Sequence, residues 1–95
     1  MFKSTYNRGF QITFKNGWTI SVQFGSGSYC DNRDLHGHDM VEWKNRDGVI
    51  TSSNAEIAIW REWNDKWYEF ENGDVVKGWC TPDEVAEWIN KVSEW

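Results

Sequence analysis

Hydrophobic and polar positions alternate with a period of two over residues 9–24, GFQITFKNGWTISVQF. Phe10, Ile12 and Phe14 fall on one side of the pattern, with Gln11 and Thr13 on the other. Beyond Lys15-Asn16-Gly17, Trp18, Ile20, Val22 and Phe24 alternate with Thr19, Ser21 and Gln23. Successive strand side chains point to opposite faces, and Asn-Gly supplies the positive φ angles of a tight turn. The segment therefore predicts a β-hairpin with one apolar face and one face of Thr, Ser and Gln turned to water. FKSTY at 2–6 predicts an additional edge strand, and AEIAIW at 55–60 a strand with Ile57 and Ile59 on one face. In KWYEFENGD (66–74), Trp67 and Glu69 face one way and Tyr68 and Phe70 the other. Asn72-Gly73 then predicts a second hairpin turn leading to Val75, Val76 and Trp79. MVEWKN at 40–45 predicts a short strand.

The period changes at the C-terminus. Thr81 is a good N-cap, Pro82 suits the first helical position, and Glu84 stands three residues after Thr81, completing a capping box. Asp83 and Glu84 also favour the positive end of the helix dipole. Val85, Trp88, Ile89 and Val92 follow at i, i+3, i+4 and i+7, with Trp95 one heptad after Trp88. This is an amphipathic helix over about 82–94 whose apolar stripe needs a partner, and the apolar face of the sheet is the natural one. The expected fold is α+β, a single domain at 1–95 with an antiparallel sheet of about four to six strands packed by one C-terminal helix. Residues 25–39, GSGSYCDNRDLHGHD, show no period and predict a long loop.

Composition removes several classes of function. The chain has 95 residues and a net charge of -5, and no run approaches the ~18 apolar residues of a membrane span. Its pI of about 4.9 argues against general duplex DNA binding, which needs cations to displace counterions from phosphate. MFKSTYNRGF lacks the apolar run of a secretory signal, so Cys30 and Cys80 are expected as reduced, buried thiols, with a disulfide as the alternative. Charge is uneven: residues 1–24 hold Lys3, Arg8 and Lys15 and no acid, whereas the acids Glu62, Asp65, Glu69, Glu71, Asp74, Asp83, Glu84, Glu87 and Glu94 crowd the last third.

Catalytic signatures are missing. There is no GxSxG, HExxH, P-loop or GxGxxG, and Gly25-Ser26-Gly27-Ser28 precedes a loop instead of a helix, so no dipole awaits a phosphate. Cys30, His36, His38 and Cys80 match zinc in number, but the cysteines lack the close spacing of a zinc knuckle. Acids beside His36 and His38 (Asp31, Asp34, Asp39) could form a general-base pair, but such proximity is ordinary for a polar loop, so neither catalysis nor a metal or other cofactor is expected. The unusual feature is eight tryptophans. Trp18 and Trp88 belong to the apolar pattern, but Trp63 lies in the connection Arg61-Glu62-Trp63-Asn64-Asp65 and Trp67 shares a face with Glu69. Exposed Trp and Tyr are enriched at protein-interface hot spots and also act as stacking platforms for bases.

The segments NRGFQITFKNGWTISVQFG, Tyr29-Cys30-Asp31-Asn32, Asn54 to Trp60, Trp67 to Asp74 and Gly78-Trp79-Cys80 resemble small accessory proteins of tailed bacteriophages, with a likeness that spans most of the chain. The resemblance implies a host bacterial cytoplasmic protein of the anti-defence type, with no catalytic residues attached. The expected function is a non-enzymatic, anti-CRISPR-like inhibitor that binds a host defence protein and occludes its nucleic-acid-binding surface. The expected contacts are the acidic hairpin (Glu69, Glu71, Asp74), the aromatic turn (Trp63, Trp67) and the loop residues Tyr29, Arg33 and Asp34. The alternative is a sponge for a nucleotide immune signal, using Tyr29, Arg33 and Arg8. A third reading is a virion or regulatory component that forms a homo-oligomer.

Overall fold

In the computed structural model, which describes residues 1–6, 8–35 and 49–95, six strands form one antiparallel sheet covered on one face by a helix. The strands are β1 (Phe2–Ser4), β2 (Gly9–Thr13), β3 (Trp18–Gln23), β4 (Ala55–Arg61), β5 (Lys66–Trp67) and β6 (Val76–Cys80), followed by α1 (Pro82–Ser93). The expected α+β class and the terminal helix are both present. The predicted strand at 40–45 lies outside the described residues.

Strands β1 to β4 form a meander in chain order, and β4 is its spine. One edge of β4 pairs with β3, and the other is shared end to end by β5, opposite Trp60 and Arg61, and β6, opposite Ala55 to Ala58. The expected second meander is corrected here. The chain after Asn72-Gly73 pairs with β4, not with β5, and β5 is only two residues long. The reason lies in Tyr68 and Phe70: their rings reach Trp88 of the helix at 5.7 and 5.1 Å, and beyond the Tyr68 N–H, which still donates to the Ile59 carbonyl at 2.8 Å, the chain leaves the ladder.

The register sets Ile12, Ile20 and Ile59 in one row and Phe10, Val22 and Ile57 in the next. Ile20, Ile57 and Ile59 are fully buried there, beneath Val85 and Val92 of α1. Burial of each such side chain contributes about 1.5–3 kcal/mol. Thr81 caps the helix as expected, with its hydroxyl accepting from the Glu84 N–H while the Glu84 carboxylate accepts from the Thr81 N–H. At the other end, the Asn16 side-chain amide donates to the carbonyls of Val92 (2.8 Å) and Trp95 (3.1 Å), tying the helix terminus to the first hairpin turn. Among the described residues, no helix is long and apolar enough to cross a membrane.

The face expected to be wet is only partly so. Thr19 and Ser21 are 0% and 6% exposed. Both sit on a central strand between larger neighbours, and their hydroxyls are satisfied locally. Thr19 donates to Glu62 at 2.6 Å and lies 2.8 Å from the Thr13 hydroxyl, while Ser21 accepts from Gln23 at 3.0 Å. A buried hydroxyl with such partners avoids the desolvation cost of an unpaired one.

Candidate functional site

The loop after β3 is strapped to the sheet. Cys30 and Asn32 are its buried pegs: Asn32 donates to the carbonyls of Phe24 (2.7 Å) and Thr51 (2.9 Å), and the Cys30 thiol points to the Gly25 carbonyl. The Asp31 carboxylate accepts from Ser53 and Asn54, and these bonds hold its pKa below the ordinary aspartate value. With the loop so anchored, the Tyr29 N–H reaches the Glu56 carboxylate at 2.9 Å.

Glu56 lies opposite a β-bulge. Between the pairs Ala55–Cys80 and Ile57–Lys77, one residue of β4 faces two of β6, Gly78 and Trp79. The Trp79 N–H turns out of the ladder and donates to the Tyr29 carbonyl at 2.8 Å. Gly78 leaves room for this approach, since a Cβ there would stand 2.6 Å from that of Tyr29. Trp79 itself adopts φ +50°, a left-handed conformation that is a true outlier for a bulky side chain. Its indole is 52% exposed and stacks on Tyr29, with ring centroids 5.7 Å apart and planes at 26°. The Arg33 guanidinium lies 5.2 Å from the centre of the same tyrosine ring. A bulge re-aims a side chain, and backbone strain of this kind concentrates at functional surfaces. The result is a solvent-facing stack of Arg33, Tyr29 and Trp79 beside the start of α1, with Asp34 exposed on the same loop.

Of the residues expected to make contact, the structure stacks Tyr29 with Arg33 on the loop that also carries Asp34, groups Glu69, Glu71 and Asp74 on another connection, and leaves these two groups, Trp63 and Trp67 apart. Trp63 sits near the C-terminal end of the helix, 63% exposed, with the edge of its ring against Gly17. Trp67 lies on the sheet face away from the helix, its ring 4.9 Å from that of Trp60. Glu69, Glu71 and Asp74 are exposed on the connection between β5 and β6. Glu71 shares a cleft of about 330 Å³ with Lys77, Lys91, Tyr68, Asn72 and Trp88, so the acidic turn is flanked by two lysines. Trp79 is the member of the stack that the pattern of the chain placed merely at the end of a strand. Its signal was Gly78 within a strand run, which marks bulges and close backbone approaches.

Other chemistry is accounted for locally. Cys30 and Cys80 are free, buried thiols, and burial raises the pKa of Cys80. His36 and His38 lie outside the described residues, and among the described residues no three His, Cys, Asp or Glu side chains are grouped to hold a metal. A cavity of about 400 Å³ opens between the sheet, the start of α1 and residues 50–55, with Phe10, Val22, Phe24, Ile50 and Val85 in its walls. Its described lining contains no lysine or arginine. Arg8, expected to help hold a nucleotide, lays its stem against Gly25. Compared with protein-family models, with curated proteins and with solved structures, the chain has no match.

Proposed function

We propose that this chain is a non-enzymatic binding protein that docks through Arg33, Tyr29 and Trp79 on a host defence protein and occludes its nucleic-acid-binding surface. The observation that carries the binding role is Trp79, a large indole held in a strained backbone conformation yet half open to water. Rigid aromatic side chains with an arginine beside them are the usual anchors of protein interfaces. The anti-defence part rests on the resemblance to phage accessory proteins, and the net charge of -5 suits a basic target. The nucleotide-sponge reading of this same loop is less well supported, because the neighbouring 400 Å³ cavity is apolar and the stack stands open.

Affinity purification of the tagged chain from lysates of defence-carrying bacteria, with mass spectrometry of the protein and small-molecule fractions, tests the proposal. A stoichiometric nucleic-acid-binding effector is expected with the wild type. Trp79→Gly is expected to lose it by about 30-fold in affinity, as for an interface hot spot. That variant also relieves the positive φ angle, so its fold should persist. A nucleotide with no protein partner, or equal binding by Trp79→Gly, overturns the proposal.

A further inference from the structure

At the end of the molecule away from the stack, one arginine is built into an aromatic clamp. The Arg61 guanidinium lies 5.1 Å from the ring centre of Trp18 and 4.9 Å from that of Trp63. Both walls are braced. Trp18 packs edge-on against Trp95 at 4.8 Å, and Trp63 rests on Gly17, where a Cβ would collide with its ring at 1.7 Å. A hydrogen bond from the Glu62 N–H to the Gly17 carbonyl, 3.0 Å, ties the Trp63 turn to the hairpin turn. The guanidinium is thus ordered in place before any ligand arrives, which lowers the entropy cost of binding.

Among the described residues, the two rings are this guanidinium's partners, and no carboxylate joins them. Its Nε is buried and, among the described residues, has no hydrogen-bond partner. Glu62, the adjacent acid, points to the other face of the sheet, where Thr19 and the Trp60 indole N–H hold it. The carbonyls at the end of α1 are taken by Asn16, so Arg61 does not serve as their cap. Directly opposite Arg61 across the β4–β5 ladder stands a second cation, Lys66, and Lys15 is exposed in the same hairpin turn that supports Trp63. Like charges facing each other across strands destabilise a sheet unless an anion joins them.

We infer that the Arg61–Trp63 clamp, with Lys66 and Lys15, is a binding site for a nucleoside phosphate, separate from the docking surface. The planar Arg61 fork and Lys66 suit phosphate oxygens, and the 63% exposed Trp63 offers a ring for the base. A lone oxyanion uses only the first half of this arrangement.

The eight indole N–H signals in a ¹H–¹⁵N spectrum of the intact protein give the test. Titration with adenosine monophosphate should shift the Trp63 and Trp18 signals saturably. Adenosine or inorganic phosphate alone should bind about ten-fold more weakly, since each forgoes either the charge-assisted bonds or the stacking. Arg61→Lys keeps the charge but not the fork and should lose about ten-fold. An undisturbed signal from Trp79, at the far end of β4, confirms its fold. Lys66→Gln, on an exposed two-residue strand, gives a second variant and should also bind more weakly. No saturable shift with the wild type, binding of phosphate as tight as that of the nucleotide, or undiminished binding by Arg61→Lys overturns the inference.

Discussion

Single residues decide where the aromatic side chains of this protein go. Gly17 and Gly73 both adopt positive φ, +86° and +84°, but only Gly17 also abuts the edge of a ring. Alanine at Gly73 meets open space, so its cost is the left-handed conformation alone, about 1 kcal/mol. Alanine at Gly17 must in addition displace Trp63, and we expect a loss of about 2–4 kcal/mol from strain and overpacking together. Urea denaturation of the two variants checks the contrast, and equal midpoints would show that Trp63 does not rest on the turn. Trp79 shows the opposite case, where the chain keeps a bulky residue in a conformation that glycine would adopt more easily.

At the scale of elements, the helix is held by its cap and its two ends. Thr81→Ala removes the capping hydroxyl and should lower stability by about 1 kcal/mol. The Glu84 carboxylate, bonded to the backbone and side chain of Thr81, has its pKa held below the ordinary glutamate value. Glu62 is lowered in the same way by the Thr19 hydroxyl and the Trp60 indole N–H. A carboxylate with a lowered folded-state pKa contributes stability above its unfolded value, and that contribution is lost as pH falls through the folded value. The urea midpoint should therefore be flat near neutrality and decline below about pH 4.3, where unfolded glutamate takes up its proton. Glu62→Gln should make that acid slope shallower, and an unchanged slope would count against the Thr19–Glu62 bond.

For the whole molecule, charge belongs with binding. The exposed acids Glu69 and Glu71 stand on the connection between β5 and β6, away from the core, so Glu69→Lys with Glu71→Lys should leave the fold intact. If a basic partner is engaged through the field of the whole chain, this pair of reversals should weaken association by about ten-fold at low salt and much less at high salt, because screening shortens the range to about 10 Å at 0.1 M. Measuring affinity at two ionic strengths distinguishes the outcomes, and salt-independent, unchanged affinity would remove electrostatics from the mechanism. Lys77 and Lys91, across the cleft from Glu71, already interrupt the acidic patch and limit its contribution.

Local patterning by itself determined the first hairpin, the central strand β4 and the capped helix. In each of these the alternation, the turn residues and the capping pair act within a few residues of one another. The exposure of Trp63 was likewise legible from its place in a polar connection, whereas the pairing state of Cys30 and Cys80 was left open by the sequence. Tertiary structure alone decided the rest. Tyr68 and Phe70 have the period of a strand, but the helix offers their rings more apolar contact than a ladder would, so β6 joins β4. The stacking of Tyr29 on Trp79 and the clamping of Arg61 between Trp18 and Trp63 join residues far apart in the chain. No periodicity carries such pairings, because register and burial across the folded sheet determine which side chains meet.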